Sequence, residues 1–186
     1  VILIGVILLI LFLIFVSNVL SVGQCRFLLE NRTYRQVKMG RLAFVWRARR
    51  WKNVMFIMLK KSVFLFLWDM TIIGGIIKRY SYRMIPFILA ENPDIPHREA
   101  FLLSRQMMNG NKMRAFILDL SFLGWHILNI FTMDILRYAF ITPYTETTSA
   151  ELYVALREEA FEKGLDGVRF LDDERLYEES DLEEYP

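Results

Sequence analysis

The chain has 186 residues and a formal net charge of +2, with 54% hydrophobic and 24% charged residues and a mean hydropathy of +0.28. A soluble domain is about 45–50% apolar with glycine counted, so this composition argues against a single water-soluble globule and for a membrane protein with polar connections. The single cysteine, Cys25, excludes an internal disulfide framework and a cysteine-rich zinc site.

Charge is segregated along the chain. The first 22 residues carry none, and the last 29 carry 12 of the 21 acidic groups. The opening run, Val1 to Leu20, is broken only by Gly5, Ser17 and Asn18. As a helix over 1–22 it would measure roughly 33 Å, enough for a hydrocarbon core of about 30 Å. It lacks the basic start, short core and small-residue cleavage site of a signal peptide, and it begins on valine. The expectation is a transmembrane helix in a chain whose natural N-terminus lies further upstream.

Nine basic residues stand between Gly23 and Asn53, opposed only by Glu30. Lys/Arg-rich short loops stay on the cytoplasmic side. A second apolar stretch follows from about Val54 to Ile77, and then a second basic region: Lys78 to Arg114 holds seven basic and three acidic residues. A single crossing would place two basic loops on opposite sides. A hairpin turning at Gly74-Gly75, with helices over 53–73 and 76–90, keeps both inside. A single crossing of 62–77 followed by a surface helix is the alternative. In the hairpin, Arg83 must face protein or water, while Lys78 and Arg79 reach the outer surface by snorkelling.

Asn92-Pro93-Asp94-Ile95-Pro96 reads as a loop, with Asp94 as N-cap of a helix over 96–109 that stops at Asn109-Gly110-Asn111. Ala100, Phe101, Leu103, Met107 and Met108 share one face of it. That face suits the inner membrane surface or, as an alternative, the groove of a soluble partner. Further helices are expected over 115–131 and 135–156, the second poor in hydropathy because of Arg137, Glu146 and Glu151. Residues 158–186 read as a solvated, partly disordered acidic tail on the cytoplasmic side, suited to recruiting a protein partner. The fold class is all-α: a polytopic helical membrane domain over 1–157 with about five spanning or hairpin helices.

Ionisable groups inside apolar stretches are the functional candidates, because burying them is costly. Asp69, Arg83, Asp119 and His126 qualify, and Asp134 and Arg137 share their placing. The competing expectation is that Asp69 or Asp119 pairs with a basic residue such as Arg83 or Arg114 and locks the bundle. His126 has no second ligand at helical spacing, so no metal site is expected. The four tryptophans suit interfacial anchoring, and Cys25 suits a small buried residue or, as an alternative, palmitoylation. Aromatic residues interleave the basic loop, but beside a membrane helix anionic lipid is a simpler partner than nucleic acid. No phosphate loop, nucleophile–histidine–acid set or paired carboxylates appear, so neither an enzyme nor a cofactor is expected. A small transporter subunit using Asp69 or Asp119 is the alternative.

The stretches Ile76-Ile77-Lys78-Arg79-Tyr80-Ser81-Tyr82-Arg83-Met84 and Ile88-Leu89-Ala90-Glu91-Asn92-Pro93-Asp94 are followed by Ser104-Arg105-Gln106-Met107-Met108-Asn109-Gly110-Asn111-Lys112. Then come Asp119-Leu120-Ser121-Phe122-Leu123-Gly124-Trp125 and Pro143-Tyr144, while Val22-Gly23-Gln24-Cys25-Arg26-Phe27 precedes them all. In this order they resemble the bacterial integral-membrane family catalogued as domain-of-unknown-function family 975, over about residues 15–160. The resemblance implies a multi-pass protein of the bacterial cytoplasmic membrane with about six helices, one of them before Val1, and both termini inside. That family commonly has proline where this chain has Gly74, and a more apolar last segment. It implies no reaction and no catalytic residues.

Overall fold

The computed structural model describes residues 2–33, 37, 39–47, 51–125 and 141–171, without the side chains at 2–4, 6–11, 13, 14, 33, 41 and 47. Every described element is helical. The first helix, α1 (Ile2–Thr33), outruns its apolar segment by about three turns. Its continuation buries Val19, Val22, Cys25 and Leu29 against the rest of the chain. The basic segment after it folds back as a tight turn, Met39–Ala43, and a short helix, α2 (Phe44–Arg47). Gly23 makes that return fit: a Cβ there would lie 2.0 Å from the Leu42 carbonyl oxygen. The glycine at this position thus has a plain cause, because the backbone of the returning segment touches the helix there.

The hairpin is present. α3 (Trp51–Asp69) leads out, and the chain turns at residues 70–72 and comes back as α4 (Ile73–Ser81) and α5 (Ile85–Glu91). The glycine pair does not form the turn. It lies inside α4, where a Cβ on Gly75 would sit 2.9 Å from the Asp69 Cα, so its role is close approach of the two legs. The returning leg is not the single helix expected over 76–90. Pro86 stands in the first turn of α5, where it removes an N–H and its ring would clash with the preceding turn of a continuous helix. Residues 82–84 are consequently a turn.

α6 (His97–Met107) follows the proline-rich loop and ends before Gly110, which has φ +83°. Its N-cap is Pro96 and not Asp94, whose backbone N–H instead donates to Asn92 Oδ1 at 2.9 Å. The apolar face is the expected one, yet Ala100, Phe101, Leu103, Met107 and Met108 are all buried within the chain. Ser104 Oγ donates to the Ser81 carbonyl at 2.9 Å, and Phe101 meets the rings of Phe64 and Tyr82 edge-on. The helix therefore does not lay this face on a membrane surface; the hairpin supplies the apolar partner.

α7 (Lys112–Ser121) is shorter than the expected 115–131, with one more helical turn at 123–125, and α8 (Thr142–Glu162) replaces the expected 135–156. Residues 126–140, with His126, Asp134 and Arg137, lie outside the described residues, as do 172–186. The acidic stretch that begins at Glu158 is folded as far as Leu171, with its acids Glu158, Glu162 and Asp166 exposed. α8 runs to Glu162, and after it Val168 and Leu171 enter the core. Asn92 Nδ2 donates to the Phe170 carbonyl at 2.9 Å, and Arg157 Nη2 donates to the Leu171 carbonyl at 3.0 Å.

Among the described residues no helix is long and apolar enough to cross a membrane, which departs from the expected set of spanning helices. The causes are local. α3 carries Lys52, Lys60, Lys61 and Asp69, the returning leg is cut at Pro86, and α8 carries five acidic residues and Arg157. Leu171→Ala should lower stability by about 2–5 kcal/mol, as loss of a buried leucine does, whereas exposed Asp166→Ala should stay within about 0.5 kcal/mol. Thermal denaturation of the purified chain measures both.

Candidate polar sites between the helices

Two polar clusters join helices that are distant in sequence. The first forms where α1, α5 and α8 meet. Glu91, at the end of α5, is 1% exposed. Tyr153 OH donates to its Oε2 at 2.6 Å, and Arg157 Nε donates to Oε1 at 2.8 Å. One turn of α8 separates Tyr153 from Arg157, so both reach the same carboxylate, and the Tyr153 ring stacks on Phe87, also of α5, at 5.2 Å. On α1, Arg26 and Glu30 form a buried pair at 2.5 Å across one helical turn, and Arg26 Nη1 donates to the Ala90 carbonyl at 3.1 Å. The guanidinium also lies 4.9 Å from the Phe44 ring centre. Arg26 is thus committed inside the fold and is not free for lipid headgroups. Burial pushes the Glu91 carboxyl above its usual range, and the hydrogen bonds from Arg157 and Tyr153 oppose that only in part.

The second cluster gathers two of the four sequence candidates. The turn forced by Pro86 directs Arg83 toward α7 and α8. Its Nη1 donates to both carboxylate oxygens of Asp119, at 2.9 and 2.8 Å, and its Nη2 donates to Ser149 Oγ at 3.1 Å. Tyr80 OH donates to Asp119 Oδ2 at 2.9 Å. Asp119 is therefore neutralised by an arginine and a phenol from the returning leg, which is the helix-locking arrangement expected for it.

Asp69 is not part of this cluster. It pairs with Arg79 across the hairpin turn, with Nη2 to Oδ2 at 2.8 Å, on an exposed surface. Lys78 does not extend away either, since its ammonium lies 4.9 Å from the Trp68 ring centre. Cys25 is buried inside the fold, which removes it as an exposed juxtamembrane acylation site. The tryptophans divide: Trp51 packs edge-on against Phe15, while Trp68 and Trp125 are exposed.

Among the described residues, no group of three or more histidine, cysteine or acidic side chains is placed to hold a metal ion. Sequence reasoning missed Glu91, Tyr153 and Arg157. The Arg26–Glu30 pair had a visible signal in its four-residue spacing. Glu91 had only its position beside a loop, and the 62 and 66 residues to its partners leave no local mark.

A family model described as "Protein of unknown function (DUF975)" matches residues 1–160. No curated protein and no solved structure matches the chain.

Removing one partner of a buried pair leaves an uncompensated charge, so Arg157→Ala should destabilise the fold by about 3–5 kcal/mol. A carboxyl raised in the folded state binds its proton more tightly there than in the unfolded chain. Its contribution to stability is complete below the unfolded value and is lost as pH rises through the raised one. Denaturation midpoints of wild type relative to Glu91→Gln should therefore fall from acid to neutral pH, and a flat difference would contradict the assignment.

Proposed function

The chain belongs to the protein family of unknown function DUF975, and for this member we propose a non-enzymatic integral membrane protein. Lipid surrounds its outer helix faces, and its basic connections lie at the inner leaflet. The observation that carries this reading is the polarity of α7. That helix pairs its part-buried Asp119 with Arg83 and Tyr80 and leaves Met113, Phe116, Ile117 and Leu120 exposed. A helix in water does the reverse, whereas ionisable residues in a membrane bundle face its interior.

The hairpin supports the same reading. Phe56, Leu59, Val63 and Phe66 form an exposed stripe along α3, and Met70, Ile72 and Ile73 at the turn are 74–78% exposed. Contiguous apolar surface of this extent marks a membrane or a protein interface. Lys60, on the same helix, lies 5.7 and 5.8 Å from the ring centres of Phe64 and Phe101, so aromatic faces partner its charge. The hairpin legs are held together by packing, so neither has to be apolar enough to insert alone. Pairing of both Asp69 and Asp119 with arginines favours a structural part for these carboxylates over a transport pathway. With residues up to Leu171 packed on the fold, the partner-recruiting part of the acidic tail falls to the residues from Asp172 onward.

The chain should stay in the membrane fraction through an alkaline wash and enter solution only with detergent. Ile117→Lys together with Phe66→Lys should shift it toward the aqueous fraction, since a lysine at the bilayer centre costs about 2.5–3.5 kcal/mol. Recovery of the wild type as a stable monomer in detergent-free buffer would overturn the reading.

A further inference from the structure

Two charges of opposite sign turn into the bundle without joining. Lys61 stands one turn beyond Ile57 and Met58, on the face of α3 that buries them and Val54. Glu146 stands one turn before Ala150 and two before Tyr153, on the stripe of α8 that buries both. α1 packs against α3 and α8 and presents the buried Cys25. The Lys61 and Glu146 charges both act on that one thiol, so they approach it from different helices.

Among the described residues, neither Lys61 nor Glu146 makes an ion pair or a hydrogen bond. The Arg83 charge also reaches Glu146, but its guanidinium is engaged by Asp119 and Ser149. Lys61 and Glu146 thus differ from Glu30, Glu91 and Asp119, each of which faces an arginine. An unmatched charge away from water is costly, and ionisable groups inside a membrane bundle mark substrate or ion sites. Both side chains are part-buried, and neither charged end is sealed in the core. An anion here would satisfy Lys61 and meet Glu146 at its own sign, and a cation would do the reverse. A molecule carrying both signs satisfies the two together. The neighbouring Val22, Ile57, Met58 and Ala150 suit a short apolar body.

We propose that Lys61 and Glu146 flank a binding site for a small zwitterion of the α-amino acid class. The Lys61 ammonium takes its carboxylate, the Glu146 carboxylate takes its ammonium, and Cys25 is the small neutral side chain between. The site goes beyond the membrane reading and does not depend on it, because both charges turn inward whatever surrounds the bundle.

Equilibrium dialysis of radiolabelled L-leucine against the full chain in mild detergent tests this. Wild type should bind leucine saturably. Isocaproate, which lacks the ammonium, and isoamylamine, which lacks the carboxylate, should each compete at least about tenfold more weakly, the effect of one lost hydrogen bond to a charged group. Glu146→Gln, which keeps the shape of the side chain, and Lys61→Met should each weaken leucine binding by a similar factor. Lys61→Glu combined with Glu146→Lys should restore part of it, and Lys52→Gln should leave it unchanged. No saturable binding of leucine by wild type, equal competition by either singly charged analogue, or undiminished binding in Glu146→Gln overturns the site and leaves the membrane reading standing. Wild type recovered from detergent-free buffer overturns the membrane reading alone, and leucine binding is then measured in that buffer with the same outcomes.

Discussion

The fold depends on pairing its two most deeply buried carboxylates with arginines. Glu30 and Glu91 are both almost fully buried, and each faces an arginine: Arg26 on the same helix for one, Arg157 on α8 for the other. An isolated buried carboxylate costs several kcal/mol, so α1, α5 and α8 reach low energy only in the register that brings these groups together. Two of the pairings extend beyond side chains. Arg26 also caps the end of α5 through the Ala90 carbonyl, and Arg157 also holds the segment after α8 through the Leu171 carbonyl. Apolar packing alone would tolerate several rotations of α8 about its axis. The Tyr153–Glu91–Arg157 contacts select one.

The second cluster depends on the first through the broken return of the hairpin. α5 is fixed at its far end by Glu91 and Asn92, so the proline turn at 82–84 is held in place and Arg83 has a defined direction. That single residue then reaches α7 through Asp119 and α8 through Ser149. A continuous helix over 76–90 would have turned position 83 elsewhere on its circumference. The break therefore resolves the problem that a hairpin poses for an internal arginine, by taking the cation out of the helix and into a gap between neighbours.

Features with a local cause were legible in the sequence. Lys/Arg distribution and the apolar stretch on each side of Gly74-Gly75 were enough for the hairpin. Helical periodicity was enough for the buried face of α6, and Asn109-Gly110 for its end. Sign matching between Asp119 and Arg83 anticipated their pairing. Other features were set by partners that no local pattern names. Hydropathy could not distinguish a face lying on lipid from one lying on the hairpin, so the α6 face was assigned the wrong partner. The tail was judged by its acidic content, yet a few apolar residues, Leu165, Val168 and Leu171, decide its course. Pro86 was readable as a break, but the surrounding apolar run concealed its consequence.

The two ends of the bundle differ in what they bury and what they expose. Around Glu91 the interior holds paired charges, Arg157 with Glu91 and Arg26 with Glu30. Toward the hairpin turn the Arg83–Asp119–Tyr80 cluster is part-buried, and the exterior is Phe66, Met70, Ile72, Ile117 and Leu120 together with the exposed Asp69–Arg79 pair. Both clusters contain paired ions, so the difference between them lies in how deeply each is covered. Ionisable groups of the described helices thus meet opposite charges both in the covered core and, for Asp69 and Arg79, on the exposed hairpin.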